Sequence, residues 1–463
     1  MDLFRKKDIK GSLDNESHLA KCLNVFDLTF LGVGAIIGAG IFVLTGIVAA
    51  TVSGPAVIFS YVVAGFACAF AALSYAELAA SIGGCGSAYG YAYAGFGELI
   101  AWIVGWDLLL EYSIAVSAVS IGWSGYANDF LMAMKIFIPT NLLHGPADGG
   151  NLNILAIFII TVLTALLVIG VKSSSRFNNV MVFVKLLVIF LFIVIAFGEI
   201  KVENWSSFMP YGWAGVMKGA SIIFFAYVGF DAVSTAAEEA INPQRDLPTG
   251  IIVSLAICTV IYILVAGLLT GIAHYTTLNV SSPISHVLLV LGYKAAAGLV
   301  GVGAIAGLTT VMLVLFYGLT RVFLAMSRDG LLPRVLAKTN EYTKTPIRII
   351  LICGVLMASL ASVTPIGTLA ELVNIGTLFA FIIVCGGVLY LRRTQPDLER
   401  PYKTPLMPYV PILGIISCMY LILNLPWVTV LRFIIWMAVG IIVYFTFSRG
   451  NSALSIEGDC AAD

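Results

Sequence analysis

From about residue 26 to residue 447 the chain reads as apolar runs of helical length separated by short polar interruptions. A bilayer core takes about 20 apolar residues per helix. In hydrocarbon a spanning segment must satisfy its own backbone hydrogen bonds, which a helix does alone. Twelve runs qualify, near 26–50, 55–79, 97–126, 151–171, 177–198, 214–240, 249–273, 295–325, 347–363, 368–391, 409–424 and 429–447. Charged residues make up 11% of the chain, against roughly 25% in soluble domains, too few to cover a water-facing surface. The pattern predicts an all-α membrane protein with twelve transmembrane helices and the lipid bilayer as its solvent.

Basic residues set the expected orientation. Lys135, Lys201, Lys218, Lys294 and Arg432 fall on the outer side and Lys185 within a span. The other lysines and arginines, including Lys172, Arg176, Arg328, Arg334, Lys338, Lys344, Arg348, Arg392, Arg393, Arg400 and Lys403, then fall inside. Both termini are expected in the cytoplasm of a cell with this protein in its plasma or inner membrane. The N-terminal segment 1–25 is too long and too mixed in charge for a cleaved signal peptide, so the first span is expected to serve as an uncleaved insertion signal. Segment 83–96 reads as a surface helix between spans two and three, and the acidic tail 449–463 as disordered. Formal net charge is +0, so no basic surplus points to nucleic acid, and none is expected as a partner. The cysteines (Cys22, Cys68, Cys85, Cys258, Cys353, Cys385, Cys418, Cys460) have no metal-ligand or redox spacing. They read as small apolar helix residues.

The first span carries "GVGAIIGAGIF" at 32–42, although glycine costs about 0.8–1.0 kcal/mol relative to alanine in a helix interior. Gly34-x-x-x-Gly38 fits close helix–helix packing. The same glycines fit an unwound turn at the bilayer midplane, where Gly38, Ala39 and Gly40 let a ligand approach the backbone. Free N–H groups opening the second half-helix would suit a carboxylate, and free carbonyls closing the first would suit an ammonium. The sixth span has a matching interruption, Gly229 and Asp231 among Phe224, Phe225, Tyr227 and Phe230. Spans one to five and six to ten have similar lengths, and an odd number of spans inverts the second set. Paired breaks in the first helix of each half point to a transporter with inverted repeats and a midplane site. The expected divisions are 26–198 for the first repeat, 199–391 for the second, and 392–448 for two further helices.

Charges inside a membrane are costly and default to function. Asp107 and Glu111 lie four apart on one face of span three. Lys185 sits in "NVMVFVKLLVIFLF", roughly 12 Å from the inner end of span five. Asp231 lies at a similar depth. Glu111 and Asp231 can equally be structural, capping broken helix ends. Lys185 has apolar residues on both sides and is the stronger functional candidate. Glu77 and Glu98, at span ends where water is near, are assigned no chemistry.

These residues resemble the amino acid–polyamine–organocation superfamily, particularly bacterial permeases related to cationic amino acid transporters. The resemblance covers nearly the whole chain and rests on "FDLTFLGVGAIIGAGIFVLTG" (26–46), "LIAWIVGWDLLLEY" (99–112), "FFAYVGFDAVSTAAEEAINPQRDLP" (224–248), "SRDGLLP" (327–333) and "NIGTLFAF" (374–381). It implies a leucine-transporter-like core of five plus five inverted helices with two appended, and secondary active amino-acid uptake, often proton-coupled. It implies a substrate carboxylate at Gly38, Ala39 and Gly40, and an ammonium on carbonyls near Ile36, Ile37, Phe225, Ala226 and Val228. Lys185 aligns with a lysine standing where related transporters hold sodium, and Glu111 matches an acid of close relatives. Some relatives carry Ser or Thr where this chain has Ala39, so that hydroxyl contact is missing here.

A secondary transporter of L-amino acids is the reading that results, expected to be a proton symporter working by alternating access. No cofactor is expected beyond the proton as coupling ion. Exchange and cationic amino-acid uptake are the alternatives within the class. An enzyme is not expected, since no HExxH or GxSxG occurs. A channel would need a continuous polar pore, and twelve spans exclude a heptahelical receptor. Spans three, six and eight should line the side-chain pocket. Span eight offers only Thr309, Thr310 and Tyr317 to a cation, which favours small neutral side chains.

Overall fold

The computed structural model describes Arg5 and residues 23–82, 87–169, 175–231, 233–234, 240–340, 343 and 345–454. The expectations for most of segment 1–25, for Lys172 and Lys344, and for the tail beyond 454 lie outside the described residues. Helix α1 (Val25–Ile36) starts on a capping box. The Asn24 side chain accepts from the Phe26 and Asp27 N–H groups, and Asp27 accepts from the Asn24 N–H. The helix stops at Ile37, whose backbone is extended. The chain resumes helical turns over Gly40–Leu44, Thr45–Val48 and Ala49–Ser53, the first and last of them π-type.

Helices α2 (Val57–Ile82), α3 (Ser87–Gly95), α4 (Glu98–Ala133), α5 (Ile154–Ile169) and α6 (Ser175–Phe197) follow. Next come α7 (Gly212–Ile223), α8 (Pro243–Ile272), α9 (Pro283–Val290), α10 (Lys294–Arg328), α11 (Ile347–Val363), α12 (Ile366–Thr394), α13 (Tyr409–Leu423) and α14 (Trp427–Val443). Among the described residues, seven segments are long and apolar enough to cross a membrane: Gly40–Ile82, Glu98–Ala133, Asn179–Phe197, Pro243–Ile272, Lys294–Arg328, Ile366–Thr394 and Trp427–Asn451. Shorter apolar helices are α1, α5, α11 and α13.

Burial divides the bundle into an inner and an outer set. The apolar windows of α4 and α12 are each 67% buried, and that of the last helix only 22%. The centre is built by α4 on α10, α12 on α4, and α8 on both α1 and α2. The outer helices α13 and α14 present Leu423, Ile416, Ile435 and Ile442 outward, as helices do when hydrocarbon surrounds them.

Three expectations change. The described part of segment 83–96, helix α3, does not lie on the surface: Tyr89, Tyr91 and Tyr93 are buried, and the Tyr89 hydroxyl donates to Asp329 Oδ2 at 2.7 Å. The first residues of the tail, through 454, are packed, because the Ser452 hydroxyl donates to Glu98 Oε2 at 2.6 Å and the Ala453 N–H to the Asp329 carbonyl at 3.0 Å. Glu77 and Glu98 are each only 2% exposed, so partners rather than water satisfy them. Tyr444 donates to Glu98 at 3.0 Å. Glu77 takes both arms of the Arg392 guanidinium at 2.8 Å each and the Thr404 N–H at 2.7 Å, with Arg400 at 3.5 Å. This clamp ties the α12–α13 connection to the end of α2.

Replacing Glu77 by Gln keeps its shape and removes the charge that Arg392 and Arg400 share. We expect Glu77→Gln to lose on the order of 1–3 kcal/mol, read as a lowered unfolding midpoint in a detergent thermal-shift assay. An unchanged midpoint would show that the clamp adds nothing to stability.

Candidate functional site

The two interrupted helices cross at their breaks. In the first, regular hydrogen bonding lapses at Ile37 and Gly38, while Ala39 already has αR angles and Gly40 opens the next helical turns. The break is thus narrower than the expected unwound turn, since Ala39 and Gly40 are already helical. In the second, α7 tightens to a 3-10 turn over Phe224–Tyr227 and ends at Val228, whose ψ is 133°. Gly229 follows with φ +115°, a left-handed conformation that glycine adopts without steric cost. A Cβ on Gly229 would stand 2.9 Å from the Ala35 carbonyl oxygen. One on Gly40 would overlap the backbone of Ala226. Each break therefore rests on the other, glycine against backbone.

A cavity of ≈ 260 Å³ opens at this crossing. Ala35, Ile36, Gly38, Ala39 and Gly40 form one wall, and Phe225 and Val228 of the second break another. Ala115 and Val119 of α4 and Val311 and Leu315 of α10 complete it. Six of the eight proposed contact residues line this space. The other two, Ile37 and Ala226, stand directly behind it, holding Lys185 and Gly40 respectively. The lining side chains are apolar, and the polar groups present are backbone N–H and C=O.

Freed carbonyls cannot be left bare in an apolar interior. Lys185 supplies one answer. Its Nζ donates to the Gly34 carbonyl at 2.9 Å and the Ile37 carbonyl at 2.8 Å, and the side chain is fully buried. Room for it comes from Gly307 of α10, where a Cβ would sit 2.7 Å from Lys185 Cε. The lysine thus joins α6, α1 and α10. Among the described residues it forms no ion pair. Similar depth does not bring the acids to it.

Tyr262 of α8 supplies the other answer, one that sequence reasoning missed. Its hydroxyl lies 2.9 Å from the Ile36 carbonyl and 2.8 Å from the Ala226 carbonyl, bridging the two breaks. The readable signal was a phenol in mid-span, which needs a polar partner when buried. Tyr61 and Tyr227 pack on its ring, and the Tyr227 hydroxyl donates to the Tyr61 carbonyl at 3.0 Å. Each carbonyl oxygen has two lone pairs, so those engaged by Lys185 or Tyr262 keep capacity for a further donor.

The acids form a separate group on the α4 face that continues from the cavity. Val119, Ala115, Glu111 and Asp107 follow one another at four-residue spacing, so Glu111 lies one turn beyond the cavity and Asp107 two. Both acids, with Asp231, are buried. Tyr112 donates to Asp231 Oδ2 at 3.0 Å, and Glu111 neighbours Asp107, Asp231 and the Thr377 hydroxyl. Gly376 of α12 approaches this group, its Cβ position 2.8 Å from Asp107 Oδ1. Of the span-eight groups weighed for a cationic side chain, Thr309 accepts from Trp123 Nε1 at 3.0 Å. Tyr317 is 41% exposed beside Arg321. No group of three or more metal-ligating side chains occurs among the described residues.

Comparison with known proteins decides the family. The family model described as "Amino acid permease" matches residues 23–447. The chain belongs to the amino acid permease family. The permease is 49% identical over 461 residues to the branched-chain amino acid permease BcaP of Bacillus subtilis, covering 98% of this chain and 99% of that one. It is 48% identical over 457 residues to the methylthioribose transporter of the same organism, covering 98% and 99%. Human cationic amino acid transporter 4 is 38% identical over 397 residues, 84% of the permease and 62% of the human protein. With its apolar helices, this membership makes the chain a multi-pass membrane transporter rather than an enzyme.

Two glycines of the permease separate packing from binding. Gly40→Val is expected to abolish amino-acid binding by forcing the breaks apart at Ala226. Gly38→Ala adds a Cβ at an ordinary 3.5 Å from Val311, so it should fold yet bind weakly because it fills the cavity. Gel filtration with a radioligand binding assay checks both, and wild-type affinity in Gly40→Val would overturn the account.

Tyr262→Phe leaves the carbonyls of Ile36 and Ala226 without their shared donor. Affinity for the amino acid should fall about five- to tenfold, the worth of one hydrogen bond, measured by the same binding assay in detergent.

Proposed function

We propose that the permease is a secondary active transporter that takes up neutral L-amino acids in symport with protons by alternating access. The observation that carries this reading is the small apolar cavity where the two helix breaks meet, walled partly by backbone. On this reading the chain crosses the cell membrane twelve times with both termini in the cytoplasm. Helices through residue 198 and from 199 to 391 form inverted repeats, with two helices appended.

On this reading the two breaks give a zwitterion one orientation. The carboxylate faces the N–H groups of Gly38, Ala39 and Gly40 at the start of the resumed helix, where the helix dipole favours an anion. The ammonium takes the spare lone pairs of carbonyls at Ile36, Ile37, Phe225, Ala226 and Val228. The side chain then points among Ala115, Val119, Val311 and Leu315. An arginine or lysine side chain there would be left without a buried counter-charge, since Glu111 and Asp231 lie beyond the cavity. Branched-chain permeases among the relatives support an apolar side chain. The equally similar methylthioribose transporter makes that sugar the competitor to test.

Lys185 is the coupling residue in this proposal. Its ammonium bridges two carbonyls of the broken α1, as a bound cation would. Loss of the proton removes the charge from both hydrogen bonds, which are then about half as strong. The end of α1 is released from α6 and the site opens. Glu111 and Asp231 support this step as the acids nearest the cavity on the inner side.

Purified protein in proteoliposomes should accumulate labelled leucine when the lumen is made alkaline, with no response to sodium. Lys185→Ala should retain exchange or binding but lose accumulation driven by the pH gradient. A panel of unlabelled competitors should rank leucine, isoleucine, valine and alanine above arginine and lysine. Sodium-driven uptake, or undiminished accumulation by Lys185→Ala, would overturn the coupling. Stronger competition by arginine or by methylthioribose would overturn the substrate class, and uptake only into amino-acid-loaded vesicles would make the protein an exchanger.

A further inference from the structure

A second cavity lies away from the helix breaks. An open groove of ≈ 900 Å³ lies at the basic end of the bundle, between the first turns of α8 and the 401–402 connection leading to α13. Its polar wall carries Arg245, Thr249 and Tyr402, and its apolar wall Pro248, Ile252 and Val253. Arg245 is exposed, and among the described residues its guanidinium has neither a hydrogen-bond nor a salt-bridge partner. Two nearby acids are already engaged. Glu77 is held by Arg392, Arg400 and Thr404, and Asp246 accepts from the Asn242 N–H at 3.3 Å. An unpaired cation with a phenol beside it, at the N-terminal turn of a 30-residue helix, makes a rim complementary to an anion. Burial and the nearby Glu77 push the Tyr402 phenol up from its ordinary value, so it stays a hydrogen-bond donor.

The groove continues as an apolar trough. Both α8 and α13 pack on α2. Gly65 of α2 faces α8, its Cβ position 3.2 Å from Thr259 Cγ2, and Phe70 faces α13, its Cβ 3.4 Å from the Gly414 position. At about 100° per residue, Phe59 and Phe66 project between those two directions. They are 39% and 61% exposed. The 401–404 connection closes one end of the trough, where Thr404 Oγ1 donates to the Leu73 carbonyl at 3.1 Å. On α8 the wall runs on through Val253, Ile257, Val260 and Leu264, all exposed.

We propose that this groove and trough form a binding site for one anionic phospholipid, its phosphate on Arg245 and Tyr402 and an acyl chain along Phe66. The proposal rests on the reading of the chain as membrane-embedded, but not on its substrate or coupling. A soluble phosphate would use the rim alone, whereas the apolar floor commits the site to a lipid.

The test is native mass spectrometry of the full-length protein released from detergent with added phosphatidylglycerol, phosphatidylcholine of the same chains, or inorganic phosphate. Wild type should retain one phosphatidylglycerol in preference to phosphatidylcholine. Arg245→Gln should lower that occupancy about fivefold, the effect of one basic side chain at an anionic surface, and Tyr402→Phe should lower it less. In a second measurement, phosphatidylglycerol brominated on its acyl chain should quench the added fluorescence of Phe66→Trp, and should not when Arg245→Gln is combined with it. Equal retention of the two lipids, an unaffected Arg245→Gln, or displacement of the lipid by inorganic phosphate would overturn the site. Leucine uptake by Arg245→Gln in phosphatidylcholine vesicles reports separately on the transport reading, which stands or falls without the lipid.

Discussion

The break in α1 at Ile37 and Gly38 frees carbonyls where no water is available to take them, and much of the central architecture answers that one demand. Lys185 reaches from α6 to Gly34 and Ile37, and Tyr262 reaches from α8 to Ile36. Both side chains are fully buried, and each is held by packing that leaves it little alternative. Gly307 makes space for the lysine, and the rings of Tyr61 and Tyr227 wall the tyrosine. An unwound turn in hydrocarbon persists only because surrounding helices supply its donors. The helices that supply them are therefore fixed relative to the break, and with them the shape of the cavity.

The four glycines of "GVGAIIGAG" do not share one task. Gly32 lies against Ser254 and Val233, where a Cβ would collide, and serves packing. Gly34 is within α1 and contributes a carbonyl to Lys185. Gly38 faces Val311 in the cavity, and Gly40 touches Ala226 of the other break. Helix packing and an opened backbone, which read as rival explanations of one motif, divide it between them. The division follows from the break itself, since Gly32 and Gly34 lie on the helix before it, Gly38 lies in it and Gly40 opens the turns after it.

Charge was less readable than hydropathy. Glu77 and Glu98 stand at helix ends where water was expected, yet each is enclosed, Glu77 by Arg392 and Thr404 and Glu98 by Tyr444 and Ser452. These four partners are more than 300 positions away in sequence, so no local pattern announces them. Tyr262 was hidden because its two acceptors, Ile36 and Ala226, lie on separate helices.

By itself, the sequence determined the solvent of this protein, its helical class, the position of both breaks and the isolation of Lys185 in an apolar span. These follow from local composition, because hydropathy, glycine clustering and a lone charge act over one or two helical turns. Tertiary structure alone decided which carbonyls the lysine takes, that Asp107, Glu111 and Asp231 gather away from it, that Tyr262 joins the two breaks, and that α3 and residues 449–454 are packed rather than loose. Each of those depends on which helices lie side by side, and apolar helices of similar length carry little in their own sequence to choose their neighbours.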